Sequence, residues 1–520
     1  MIRPGLGRQS AITAVVALAG VATGLLLDLA WWHRLGLGDA SDAVALALRL
    51  PVGLAAIVVV LGGQVLVPAF ATWSTTFGPR DDARAMAGVL VWVVAGAAAV
   101  ALLIATAAGP LMHVLSPHWA PAKLDLAASL TRVLAAYVPL LAAAEVFRSW
   151  LTARLVIGAP AVMSLLLNVT GIPVILFGPP SVTTVGIAYA AGSLVQVAAM
   201  ASLAWRHGWR PARPAPREEA VRHTVALFAR PSLGAGLNPV MRVVEGIVVS
   251  FLPTGSATFV HYGNRLAGAL GGTIVFRSVM VALVPRLATA AGRGDESAFA
   301  ALTRRGVRLL ALAAIPMSLL GIVLAAPVTD LVFGLGRPPG SVKTLGALMA
   351  IYAVSFAGSG LQRALLAPFY ALRDTRTPLR NTVYGAVANS AILLGGFPLV
   401  AGSPHAIALI PVAYSAAQYV NVAHAYARAR RLPGMRTLGL APAVAGSLLV
   451  GLPGAAMAWL VLRMSVGRQS VPVLALACVV GLGLSVAVGI LARRRLTAGT
   501  ARGPTRGPTP GPASSSAPGP

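Results

Sequence analysis

Met86–Gly109 reads MAGVLVWVVAGAAAVALLIATAAG, 24 residues without a single charge. At about 1.5 Å of rise per residue, a helix of that length exceeds the ~30 Å hydrocarbon layer of a bilayer. Charges return just before it, in the loop GPRDDAR (Gly78–Arg84), as expected where a spanning helix meets the membrane surface.

Outward from this segment, similar apolar runs fill the chain. Spans are expected near 11–32, 43–72, 86–109, 124–147, 151–177, 183–205, 224–252, 258–285, 307–333, 343–370, 380–401, 405–427, 440–463 and 470–492. Hydrophobic residues make up 57% of the 520 residues, 11% are charged and the mean hydropathy is +0.79. Water-soluble folds carry about 25% charged residues. The expected fold class is an all-α polytopic membrane protein of 14 transmembrane helices. No segment has the alternating pattern of an outer-membrane barrel, and the first apolar stretch lacks an A-x-A cleavage site, so it counts as a helix.

The formal charge of +27 is a topology signal. On this map 28 Arg/Lys fall in the termini and alternate loops and six in the remaining loops, which puts both termini in the cytoplasm. The same excess attracts anionic membrane lipids, and nucleic acid is not an expected partner. The one cysteine, Cys478, excludes an intrachain disulfide, and the histidines have no HExxH spacing, so no metal site is expected. A GxxxxGK[ST] loop is missing, so no cofactor is expected and any work is driven by an ion gradient, the membrane potential or the substrate gradient.

The chain repeats itself. VPAFAT (Val67–Thr72) returns as VPRLAT (Val284–Thr289), 217 residues on, and Pro110 returns as Pro327 at the same offset. ARLVIGAP from Ala153 aligns with ALRDTRTP from Ala371 at offset 218, and AYAAGSLVQVA from Ala188 with AYSAAQYVNVA from Ala413 at offset 225. Repeats six helices apart have the same orientation, so two parallel six-helix lobes are expected, 1–205 and 224–427. The basic linker 206–223 joins them, 428–495 adds a helix hairpin, and the Pro/Gly/Ser/Thr-rich tail 496–520 is expected to be disordered.

In such a carrier the site is sought between the lobes, where an ionisable residue faces a wet cavity or a partner. Arg49 and Arg265 are equivalent in the repeat, 216 apart, and Asp28 and Glu245 nearly so, 217 apart. Each lobe then contributes an acid and a base. Guanidinium planes match phosphate oxygens, so Arg49 and Arg265 are candidate binders of an anionic group, with Asp28, Glu245 and Arg242 around them. Arg242, three residues before Glu245 on one helix face, is a candidate partner for it. The competing reading is that acids and arginines neutralise one another and fix helix packing. Asp42, ahead of the second span, is either a helix N-cap or a cavity-mouth residue.

Four segments carry a family resemblance: GLGDASDAVALALRLP (Gly36–Pro51), VPAFAT, the stretch Ser250–Ala288, and APFYALRDTRTPLRN (Ala367–Asn381), which contains an FYA-x-x-D-x-x-TP loop. With the 6+6+2 organisation, the chain resembles the MurJ-type lipid II flippases of the multidrug/oligosaccharidyl-lipid/polysaccharide exporter superfamily. The resemblance implies alternating access in the bacterial cytoplasmic membrane, a lipid-linked anionic substrate such as a polyprenyl-diphosphate cell-wall precursor, and cell-wall synthesis proteins as partners. It matches Arg265 to a cavity arginine, Asp42 to an aspartate before the second span and Arg49 to a basic position before a proline. The pattern departs at Leu27, where an arginine is expected, at Leu54–Ala56, where an arginine pair is expected, and at Asn264 and Gly268, where acids are expected. A cation-coupled multidrug exporter and a non-transporting scaffold of envelope synthesis are the alternatives.

Overall fold

A computed structural model of the chain describes residues 6–156, 159–270, 273–334, 342–465 and 470–500. All regular structure among them is helical. The first half contains α1 (Leu6–Leu35), α2 (Asp39–Ala47), α3 (Arg49–Leu61), a π-helical turn (Gly62–Leu66), α4 (Val67–Thr76), α5 (Pro79–Thr106), α6 (Ala108–Leu115), α7 (Pro121–Ala135), α8 (Tyr137–Ala153), α9 (Ala159–Phe177) and α10 (Val182–Arg206). After α11 (Glu219–Ala226) the second half contains α12 (Ala229–Ser250), α13 (Ser256–Leu270), α14 (Thr273–Gly292), α15 (Glu296–Phe333), α16 (Lys343–Ala371), α17 (Arg376–Val400) and α18 (Leu409–Ala429), and then α19 (Leu440–Met464) and α20 (Val471–Thr500).

Ten helices among the described residues are long and apolar enough to cross a membrane. The expected spans in α1, α9, α12 and α13–α14 are helical but fall outside that set. Two of these, α12 and α13, hold Arg242, Glu245 and Arg265. Helix starts follow local chemistry. Pro79 and Pro121 sit in first turns, where a missing N–H costs nothing. The Asp295 side chain caps α15 by accepting from the Ala298 amide at 2.8 Å.

Two expected boundaries change. The linker contains α11, whose Val221 is buried against α5, because the apolar positions of Glu219–Ala226 fall on one face. At the other end α20 continues to Thr500; residues 501–520 of the expected tail lie outside those described.

Helices α1–α10 pack mainly on one another, as do α12–α18, with α19 against α15 and α20. The repeat shows in the backbone: the two described non-glycine residues with left-handed φ are Leu155 (60°) and Arg373 (57°), 218 positions apart. Hydrophobic clusters reveal where the halves meet. One joins Trp31, Trp32 and Leu134 to Tyr262, Phe333 and Leu345; another joins Leu46, Met112 and Leu124 to Val249, Val260 and Ile410. Both lie toward the end where α1 turns into α2. At the opposite end the clusters around Phe70 and Trp150 and around Phe276 and Leu310 each stay within one half.

A candidate substrate site at the interface of the halves

At the joined end, Asp42 is the focus. It lies in the first turn of α2, 1% exposed, with Gly38 at the N-cap position of that helix. Its carboxylate caps a helix of the other half instead. Oδ2 accepts from the Gly255 amide (2.7 Å), and Oδ1 from the Thr258 amide (2.9 Å) and hydroxyl (2.7 Å), at the start of α13. Exposed amides and the helix dipole make this end favourable for an anion. Gly255 has φ +95°, a left-handed turn residue that a side chain would strain. Lys123 of α7 neutralises the carboxylate at 2.7 Å, bridges to Asp39 at 2.9 Å and lies 4.2 Å from the Trp119 ring. Beside them the Thr258 hydroxyl oxygen lies 3.1 Å from Ser41 Oγ. Since 258 − 41 = 217, these two residues are repeat equivalents, and a residue that touches its own equivalent sits on the axis relating the halves.

Deeper in the interface the four paired charges meet, in an order the sequence did not foretell. Arg265 Nε donates to Asp28 Oδ2 at 2.6 Å, and Arg49 Nη2 lies 3.4 Å from Glu245 Oε1. Both bonds cross between halves: the acid of each half holds the arginine of the other, and repeat symmetry turns one bridge into its mate. Glu245 therefore pairs with Arg49 and not, as its helix spacing suggested, with Arg242. The i, i+3 neighbour loses because Arg49 is buried, while the Arg242 side chain is exposed. Asn264 Nδ2 donates to Glu245 at 3.4 Å, and Arg49 Nη1 to the Arg242 carbonyl at 3.1 Å.

The two bridges are unequal. The Arg49 side chain is 6% exposed, so it does not face open space as one of two symmetric cavity cations. Gly246 permits this: a Cβ there would stand 2.8 Å from the Leu115 carbonyl and 3.2 Å from Arg49 Nη1. The Arg265 side chain is 41% exposed although its partner Asp28 is 1% exposed, so part of this guanidinium arm stays accessible. A Cβ on Gly24 of α1 would stand 3.4 Å from Arg265 Nη2. Asp28 Oδ1 has no hydrogen-bond partner among the described residues.

Aromatic rings fill the space between bridges and latch. Trp31 stacks on Tyr262 (5.0 Å), Trp32 meets Tyr262 and Phe333 edge-on (5.1 and 5.3 Å), and the Tyr262 hydroxyl donates to the Asp28 carbonyl at 2.8 Å. Asn168, whose NVT triplet carries no glycosylation meaning inside a span, donates to Gly20 O and Thr23 Oγ1, both at 3.1 Å, tying α9 to α1. Sequence reasoning missed Lys123, Thr258 and Asn168. The 217-residue offset that pairs Ser41 with Thr258 was a usable signal.

The turn of ALRDTRTP is a cap. Asp374 accepts from the Arg376 and Thr377 amides (2.9 and 3.1 Å) and the Thr377 hydroxyl (2.6 Å), starting α17. Partial burial works against its ionised form, but the Thr377 and Arg376 bonds outweigh it and hold the carboxyl below its usual 3.8.

Against known proteins, residues 33–487 match the family model for the lipid II flippase MurJ. A probable lipid II flippase MurJ of Rhizobium meliloti is 27% identical over 225 residues, 42% of this chain and 41% of that protein. The lipid II flippase MurJ of Burkholderia cenocepacia is 26% identical over 384 residues, 69% of this chain and 72% of that protein. Among solved structures, a lipid II flippase MurJ in an inward closed conformation superposes with TM-score 0.75 at 15% identity, covering 94% of this chain and all of that one (100%). An inward-facing multidrug resistance MATE family transporter gives 0.69 at 15% identity over 82% of this chain and 99% of that one. At such identities these structures speak for the fold alone.

Proposed function

The chain belongs to the family of MurJ lipid II flippases, multi-pass membrane transporters and not enzymes, and on that premise we propose that it moves lipid II or a related polyprenyl-diphosphate lipid across the bacterial cytoplasmic membrane by alternating access. The two halves act as lobes that part at the Ser41–Thr258 contact when the outer side opens, with both termini cytoplasmic and an ion gradient or the membrane potential as the drive. The end fastened by Asp42 is the outer one, and Arg265 is accessible from the cytoplasm.

One observation carries this reading: the acids and arginines of the two halves are exchanged across the interface, and one exchanged arginine stays half exposed. A diphosphate arriving beside Arg265 competes with Asp28 for the guanidinium, and with Arg242 also exposed, the accessible charge there is cationic. That favours an anionic head group over a cationic drug. Releasing the Asp28–Arg265 bridge loosens the contact that holds the halves together, so cargo binding and lobe movement share one step. Proteoliposomes holding fluorescent lipid II provide the test. Wild type is expected to translocate the head group and Arg265→Ala to lose translocation at least tenfold at equal reconstitution; unchanged translocation by the variant refutes the role of Arg265.

A further inference from the structure

Away from the interface, a surface cavity of about 410 Å³ opens where α18 ends. Tyr426, Ala427, Arg430, Arg431 and Arg436 line it, three arginines and no acid. The turn that brings Arg436 back toward α18 is fixed from beneath. Met435 is fully buried and Leu438 2% exposed, both in the core of the second half. Gly434 and Gly439 bend the chain with φ of +68° and +67°, and Arg304 Nη1 donates to the Gly434 carbonyl at 3.4 Å. On the cavity wall Arg430 Nε donates to the Arg436 carbonyl at 3.3 Å, with its guanidinium 5.7 Å from the Tyr426 ring.

None of the three arginines is in an ion pair among the described residues. Arg428, their neighbour, acts on Asp374 instead, and Glu296 approaches Gly434 through its backbone carbonyl. The α18 dipole favours cations in its last turn, which accounts for Arg428 and Arg430 but not for a loop folded so as to return Arg436 beside them. Like charges gathered around one cavity repel, and an anion relieves the repulsion.

We propose that this cavity binds a phosphate group, carried by an anionic lipid headgroup or by a soluble phosphate compound. Guanidinium forks suit phosphate oxygens, and Arg430 is already oriented by the Arg436 carbonyl. The site is independent of the transport reading and stands or falls alone.

The purified full chain is placed in phosphatidylcholine nanodiscs with increasing phosphatidylglycerol, and retained phosphatidylglycerol is counted by native mass spectrometry. In parallel, the chain in neutral detergent is titrated with inorganic pyrophosphate. The variant Arg430→Gln/Arg436→Gln is compared with Arg217→Gln/Arg222→Gln, which removes the same charge from the linker, and thermal unfolding verifies that both fold. Roughly tenfold weaker binding of at least one probe is expected for the cavity variant, with the linker variant at wild-type strength. Weakening confined to phosphatidylglycerol identifies a lipid headgroup, and weakening that includes pyrophosphate a soluble phosphate. Equal weakening in both variants, a cavity variant indistinguishable from wild type, or no binding of either probe by wild type overturns the proposal. Should the glutamine variant unfold, Arg430→Lys/Arg436→Lys replaces it, with a smaller loss expected at unchanged charge and wild-type binding again contradicting the proposal.

Discussion

Asp28 and Asp42 are both 1% exposed, both belong to the first half, and both reach across to α13, yet their surroundings differ. Four donors surround Asp42: Lys123, two backbone amides and a hydroxyl. Asp28 receives one side-chain donor, from an arginine that is itself 41% exposed, and its second oxygen has no partner among the described residues. A buried carboxylate with every lone pair engaged is costly to move, and one held by a single accessible donor is poised for exchange. The first fits a fastener and the second a contact that cargo replaces.

Perturbing the exchangeable bridge has the largest expected effect. Asp28→Arg places two cations together and is expected to abolish lipid II translocation in proteoliposomes. Asp28→Arg/Arg265→Asp restores opposite charges across the halves and is expected to recover part of it. A double variant no better than the single one argues against a direct contact in the working protein.

Next comes the fastener. Asp42→Asn keeps the shape but leaves Lys123 buried without its principal carboxylate, a loss of about 3–5 kcal/mol for a broken buried pair. In a Cys478→Ser background with a cysteine introduced at the buried Ser256, 6% exposed, labelling by a membrane-impermeant maleimide is expected to rise, and an unchanged rate contradicts a latch at this end. Lys123→Met retains the three other donors of Asp42 and is expected to raise labelling less than Asp42→Asn does.

The smallest effect is expected at the opposite end. Asp374→Ala removes the cap of α17, a loss of about 1 kcal/mol. Because the folded carboxyl titrates below its usual 3.8, its contribution is fully present above that value and drains away as pH falls through the lowered folded value. Wild type and variant are expected to differ in melting temperature at pH 6 and to converge under strong acid. A difference that grows as the pH falls contradicts this assignment.

Much of this was legible in the sequence. The apolar runs gave the helices, and the 217-residue offset identified Asp28, Arg49, Glu245 and Arg265 as one set of four. Their pairing was not legible, because chain proximity favours Arg242 with Glu245, while the observed bridges join residues 196 and 237 positions apart (245 − 49 and 265 − 28). Periodicity reports local faces, and a contact between halves depends on how whole helices meet. Lys123 was hidden for a similar reason: in sequence it is one more loop cation, and only the packing of α7 on α2 brings it to Asp42. The cap at Asp374 was readable since donors and acceptor lie within three residues.

The parting of the halves at the Ser41–Thr258 contact is tested most directly by locking it. In a Cys478→Ser background, Ser41→Cys/Thr258→Cys is reconstituted with fluorescent lipid II, oxidised, and then reduced. Translocation is expected to stop on oxidation and return on reduction. Translocation at the reduced rate with the disulfide formed, verified by mass spectrometry, contradicts alternating access through this end.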